Sequence, residues 1–176
     1  MIFPYTMSRR IVLNPATAAD RANFYQHVLR TGLGSSRQSG RATNADSRPH
    51  ATFLVALRSS GEVLGFSALH ALDPAGHIRL GVYLDTRRAR LGIGSEAVNL
   101  SINYAFATLD IDKIIVQTTQ VSFASFGVRP GNNSERAVLP EHVYFRGRLW
   151  DLHSFEILRQ EWIEEANLDG VLLTRH

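Results

Sequence analysis

The 176-residue chain contains no cysteine, which excludes disulfide staples and any thiolate nucleophile and suits a reducing compartment. It has no Gly-x-Ser-x-Gly elbow either, so a covalent acyl-enzyme is not expected. No apolar run approaches a membrane span, and residues 1–7 are too short for a secretory signal. The expectation is a cytoplasmic protein with a flexible leader over 1–7, Met7 being an alternative start. Internal repeats and compositional breaks are missing as well. Residues 1–176 therefore read as one domain with a sizeable apolar core and a C-terminal tail over 164–176. No pair of histidines has ligand spacing beside a carboxylate on a shared face, so no metal site is expected. The formal charge of +3 comes mostly from scattered arginines, and no known nucleic-acid motif accompanies them. Nucleic acid and membrane are not expected partners; an acidic small ligand accounts for part of the excess.

What the chain does have is Leu80-Gly-Val-Tyr-Leu-Asp-Thr-Arg-Arg-Ala-Arg-Leu-Gly-Ile-Gly-Ser-Glu-Ala97. An apolar strand runs into an Arg-rich Gly-x-Gly turn, and a helix follows at once, because Val98, Ile102, Ala105, Phe106 and Leu109 recur at helical spacing. Gly92 and Gly94 can turn their amides outward without a Cβ in the way, and a helix N-terminus favours negative charge. Arg87, Arg88 and Arg90 add cationic donors. The Gly-Lys-Ser/Thr ending of a P-loop is missing, and the third glycine of a dinucleotide fingerprint would fall at Ala97. The segment is thus a diphosphate-binding turn or an ordinary glycine turn between strand and helix.

The remaining pattern predicts strands over 8–13, 51–58, 62–70, 77–84, 113–119, 138–146 and 149–158. Helices are predicted over 16–30 and 94–109, with an irregular stretch to about 134 and a helical tail. Mixed strands with helices on two faces give an α/β (α+β) three-layer domain.

Arg87-Arg-Ala-Arg-Leu-Gly-Ile-Gly-Ser-Glu-Ala97 resembles the acyl-CoA-binding motif of the GNAT acetyltransferase superfamily, usually Arg/Gln-x-x-Gly-x-Gly/Ala before a helix. Ser8-Arg-Arg-Ile-Val-Leu13 with Asp20 resembles the family's opening strand and helix, and Gly61-Glu-Val-Leu-Gly-Phe-Ser-Ala-Leu69 its next hairpin strand. Ala137 to Asp151 and Ile157-Leu-Arg-Gln-Glu-Trp162 resemble the closing segments of the branch that acetylates protein N-termini and small amines. Together these cover about residues 8 to 163, and their order is more specific than any one of them. The chain departs from the pattern at two places. Ala89 stands at the motif's first Arg/Gln, flanked by Arg88 and Arg90, and Gln120 to Asn133 lacks the usual Tyr, with Phe126 or Gly127 at its place.

The resemblance implies a GNAT-like three-layer fold whose central mixed, mostly antiparallel sheet is splayed between the strands before and after the CoA-binding helix. A bulge in the strand before the helix would part them. It implies acetyl-CoA or another acyl-CoA as donor, held by Leu84, Arg87, Arg88, Ala89, Arg90, Leu91, Gly92, Ile93, Gly94, Ser95, Thr119 and Phe126. The oxyanion donor would be a backbone N–H near Tyr83 or Leu84, Leu84 being preferred, with Thr118 and Thr119 across the cleft. An amine attacks only when neutral, so a base is required. His77 is the leading candidate, with Tyr83 beside it, while His70, His142 and His153 are weaker ones and all could be structural. Related enzymes often place a Glu where this chain has Arg79, and the missing Tyr leaves the acid that protonates the CoA thiolate unassigned.

Acceptors compatible with the chain are small amines and peptide N-termini. Asp73, Asp85, Asp151 and Glu156 could attract a cationic one. The polar segment 34–49 is either a lid over the acceptor or a plain loop. Trp150 and Trp162 read as packing residues and Glu161 to Glu165 as a solvated face; the oligomeric state stays open, the C-terminal strands or the tail being where a homodimer contact could form. Three readings stay open: an acetyl-CoA-dependent N-acetyltransferase, an acyltransferase using another acyl-CoA or a carrier-protein thioester, and a non-catalytic acyl-CoA-binding protein.

Overall fold

The computed structural model describes residues 4–17, 19, 20, 23, 49–85, 87–118, 135–145 and 148–164. The segment 34–48, Thr119, Phe126 and the rest of 119–134, and the tail beyond 164 lie outside the described residues, as does most of the helix expected over 16–30. That helix has its start on view. Thr17 Oγ1 accepts the Asp20 N–H at 3.2 Å while Asp20 Oδ2 accepts the Thr17 N–H at 2.9 Å, a reciprocal cap that satisfies two amides at a helix entry.

Seven strands form one sheet: β1 (Ile11–Pro15), β2 (Ala51–Leu57), β3 (Val63–Asp73), β4 (His77–Leu84), β5 (Lys113–Thr118), β6 (Glu135–Phe145) and β7 (Arg148–Leu158). Their spatial order is β1-β2-β3-β4-β5-β7-β6. Every pairing is antiparallel except β4 with β5. Parallel neighbours need a crossover, and α1 (Ile93–Thr108) supplies it.

Most boundaries fall within a few residues of the sequence pattern, and the differences have local causes. β1 starts at Ile11 because Ser8 closes a turn, its N–H donating to the Ile11 carbonyl at 2.9 Å. The same strand reaches Pro15, which an edge strand tolerates. β3 continues past His70 through a bulge at Ala71 (φ 52) and pairs again at Asp73 with His77. α1 begins one residue early, since Gly92 adopts φ +83 and serves as its N-cap.

α1 packs along one face of the sheet. Ile93, Ala97 and Leu100 meet Ile11, Leu13, Phe53, Val55 and Leu64, while Val98, Ile102, Ala105 and Phe106 meet Leu69, Ile78, Leu80, Ile114 and Val116. Each fully buried Ile, Leu or Phe contributes about 1.5–3 kcal/mol, so the helix is fixed by its side chains. A buried Ser67–Ser101 hydroxyl pair at 2.6 Å joins β3 to it. Arg159 holds the far end. Its guanidinium donates to the carbonyls of Phe106 and Ile111 at 2.7 and 2.6 Å and lies over the Phe106 ring, giving the helix C-terminus the cation that its own last turn lacks. Thr52, Phe66 and Ala68, on the opposite face of the sheet, are buried too; both faces are covered. Trp162 packs against the core, as its packing role requires.

Candidate functional site

β4 and β5 run side by side only part of the way. His77, Ile78, Arg79 and Leu80 pair with Lys113, Ile114, Ile115 and Val116, and there the parallel ladder stops. Beyond that point each strand keeps its outer neighbour. β4 stays on β3 to the Leu84–Gly65 pair, while Gln117 and Thr118 of β5 stay on Ser154 and His153 of β7. A fork opens above Leu80 and Val116. No bulge in β4 makes it, contrary to the expectation: the β3–β4 register is unbroken from Arg79 to Leu84, and the nearby irregularity sits in β3 at Leu64–Gly65.

The direction of the β4 amides follows from that register. Asp85 donates its N–H to the Leu64 carbonyl at 2.9 Å, and hydrogen-bonded pairs alternate with non-bonded ones along an antiparallel ladder. Arg79, Gly81 and Tyr83 therefore bond to β3, while Leu80, Val82 and Leu84 turn N–H and C=O toward β5. For Leu80 a strand is there to meet them. For Val82 and Leu84 there is the fork. Gly65 protects this arrangement by close approach, since a Cβ on it would lie 2.0 Å from the Tyr83 carbonyl oxygen.

The upper end of the fork leads to the glycine turn. Asp85 organises its entry, accepting the Arg87 N–H on Oδ1 and the Ala89 N–H on its carbonyl. α1 has no side-chain cap, and the left-handed Gly92 stands at its N-terminus. A residue not singled out in the sequence closes this corner. Arg10, just before β1, places a guanidinium nitrogen 2.7 Å from where a Gly92 Cβ would be, donates to the Leu91 carbonyl at 3.0 Å and pairs with Glu96. Because the peptide is planar and trans, a Leu91 carbonyl turned toward Arg10 turns the Gly92 N–H away from it. Burial alone would raise the Glu96 carboxyl, but hydrogen bonds from Ser8 and Arg10 outweigh it and hold the group below its ordinary range. Two expected phosphate ligands are otherwise engaged. The Ile93 N–H donates to the Arg90 carbonyl at 3.1 Å, and Arg88 forms an ion pair with Glu62. Arg87, Arg90 and Leu91 are exposed on the turn.

The Acetyltransferase (GNAT) domain profile matches residues 10–129, which span the turn, α1 and both arms of the fork. The chain belongs to the GNAT family. Among relatives, it is 24% identical over 112 residues to the Uncharacterized N-acetyltransferase p20 of Bacillus licheniformis, a match spanning 62% of this chain and 63% of that protein. Among solved structures it superposes on the spermidine N-acetyltransferase of Vibrio cholerae in complex with CoA and spermine. There the TM-score is 0.66 at 14% identity, over 89% of this chain and 99% of that one. A GCN5-related N-acetyltransferase from Brucella melitensis gives 0.59 at 21% identity, over 92% and 80%. These structures share the GNAT fold.

Within that fold the side chains named from sequence separate into those at the fork and those away from it. Ile78 and Leu80 point into the α1 core, so Arg79, Gly81 and Tyr83 present the opposite face. The Tyr83 ring folds back over Gly81, its hydroxyl 2.6 Å from where a Gly81 Cβ would be. His77 is not at the fork. It pairs with Lys113 where the ladder is closed, three residues or about 10 Å below the opening, with Nε2 3.8 Å from Asp73. His70 lies directly across from Arg79, one residue from the opening. Burial and, after it, the Arg79 charge lower its pKa below the ordinary imidazole range. His153 is buried next to Thr118 on the other arm, its ring stacked on Phe155. His142 is exposed on the edge strand β6, away from the fork. Among the described residues no group of three His, Cys, Asp or Glu could hold a metal, and no helix is long and apolar enough to cross a membrane.

Proposed function

We propose that this chain is an N-acyltransferase that moves an acetyl group from acetyl-CoA to a primary amine by direct attack. The observation that carries the reading is the fork: two successive outward-facing β4 residues, Val82 and Leu84, offer backbone donors to a gap that leads to the Gly92 turn. That is the shape required by an extended pantetheine amide chain ending in a diphosphate. Arg10, Arg87, Arg90 and the Gly92, Gly94 and Ser95 amides hold the phosphates, and the Val82 and Leu84 amides hold the pantetheine and the thioester oxygen.

α1 lies against one side of the fork, so the acceptor enters from the opposite side of β4, where Arg79 is exposed and Tyr83 half-buried. The amine nitrogen forms a bond to the thioester carbonyl carbon, the Leu84 N–H stabilises the oxyanion, and the carbon–sulfur bond then breaks. The amine loses one proton and the thiolate gains one. The proton acceptor is His70, directly or through water, because its imidazole stands one residue from the opening whereas His77 stands three residues below it. Tyr83, folded over Gly81 at the fork, supplies the proton to the departing thiolate. The test is release of CoA thiol from acetyl-CoA by the pure protein given a panel of primary amines. Release that depends on the amine supports the reading; a protein that binds CoA yet releases no thiol with any amine overturns it.

A further inference from the structure

The acceptor face of the fork carries an unusual charge. Arg79 is exposed and lies one residue below the opening, and its guanidinium has no hydrogen-bond or ion-pair partner among the described residues. Its cross-strand neighbour is His70, and the next position on the same face of β4 is Gly81, over which the Tyr83 ring folds. Each of the four carboxylates suggested for a cationic acceptor has a partner of its own. Asp85 caps the turn by accepting the Arg87 N–H at 3.0 Å, and Asp151 accepts the Glu141 N–H in the β6 bulge at 3.0 Å. Glu156 is bridged by Lys113 at 2.8 Å and by Arg136 at 3.1 Å. Asp73 accepts the Ala75 N–H at 2.7 Å in the β3–β4 hairpin and faces His77.

We infer that Arg79 is a specificity residue and that the acceptor is a primary amine carrying an oxyanion, a carboxylate or a phosphate, at its far end. The inference rests on the acyltransferase reading above. A guanidinium offers a planar fork of donors that a carboxylate or phosphate fills with two hydrogen bonds, and it repels a second ammonium at the same place. Anchoring the oxyanion on Arg79 directs the amine along the same face of β4 toward Tyr83 and the opening. The neighbouring cation thus selects against a polyamine, which carries positive charge at both ends.

The test uses matched primary amines sharing one skeleton and differing at the far end: β-alanine, aminoethylphosphonate, β-alaninamide and ethylenediamine, with α-amino acids and their amides as a second set. Thiol release is measured for the wild type, Arg79→Gln and Arg79→Glu, with thermal unfolding of each. The wild type is expected to favour the carboxylate or phosphonate member over the diamine by about tenfold or more in kcat/KM. The carboxylate and phosphonate members show which oxyanion is taken. In R79Q the ratio falls toward one, and in R79E it inverts in favour of the diamine. Amine-dependent turnover with no preference for the anionic members, or a preference that R79Q and R79E leave intact, overturns the assignment of Arg79 while the acyltransferase reading stands. Absence of thiol release with every amine overturns both.

Discussion

The two halves of β4 differ in little but their partner. From His77 to Leu80 the strand is zipped on both sides, to β3 and to β5; from Gly81 to Leu84 it is zipped, among the described residues, to β3 alone. Side chains alternate in the same way through both halves, with Ile78 and Leu80 in the core and Val82 and Leu84 packed against it. The backbone groups that bond to β5 in the lower half meet no described strand in the upper half. In the proposed reading function comes from where pairing stops, and the neighbouring strands decide that. β5 leaves β4 because it stays with β7.

The strongest way to break the contrast is at Gly65. Any side chain there meets the Tyr83 carbonyl and the Leu84 Cα, which are backbone atoms with nowhere to move. Gly65→Ala is expected to cost about 3 kcal/mol and to lower the melting temperature by roughly 6–12 °C, read by thermal unfolding.

Proline sharpens the contrast between the two halves of each β4 peptide. Leu84→Pro removes an N–H that faces the fork, whereas Tyr83→Pro removes one that bonds to β3. The first is expected to lower kcat on the order of 100-fold with the smaller loss of stability, and the second to fail chiefly in thermal unfolding. Equal effects on both readouts from the two variants would contradict the amide directions derived from the register.

The phosphate end gives a smaller effect. Arg10→Gln removes the donor to Leu91 and the partner of Glu96, and is expected to raise KM for acetyl-CoA roughly tenfold with kcat nearly unchanged in steady-state assays. A loss confined to kcat would place Arg10 in some other role.

How much of this could be read from the chain depends on the kind of signal. Alternating and helical patterns marked out the strands and α1 to within a few residues, because the periodicity is local and β1 to β5 and α1 each set a face in the core. The glycine turn was legible since Gly92 needs a left-handed backbone. Arg10 was not, although its strand was recognised: it lies more than eighty positions from Gly92, and only the fold makes them neighbours. The base candidates show the same limit. His77 and His70 are both histidines on adjoining strands, and nothing in composition tells which is nearer the end of the β4–β5 ladder. The partners of the acidic residues suggested for a cationic acceptor, Arg87, Glu141, Lys113, Arg136 and Ala75, were not legible either, since they are set by turns and cross-strand register.

The smallest expected effect is in the pH dependence. His70 is depressed in the folded chain, so the unfolded chain takes up its proton first. Stability from this group is full above about pH 6.5 and is lost as pH falls from there toward the folded value. Charged and titratable neighbours are Arg79 on β4, His50 beside the start of β2, and Asp73 and His77 in the hairpin. His70→Asn is expected to flatten the slope of melting temperature between pH 7 and pH 5 by a small but measurable amount; an unchanged slope would show that the imidazole pKa is not lowered.

Amide hydrogen exchange along β4, with and without CoA, asks most directly whether the parted strands receive the cofactor. The Leu80 amide should exchange slowly in both states, and those of Val82 and Leu84 should exchange rapidly alone and become protected when CoA is added. If Val82 and Leu84 are already as protected as Leu80 without CoA, or stay unprotected at saturating CoA, the fork is not where the donor binds.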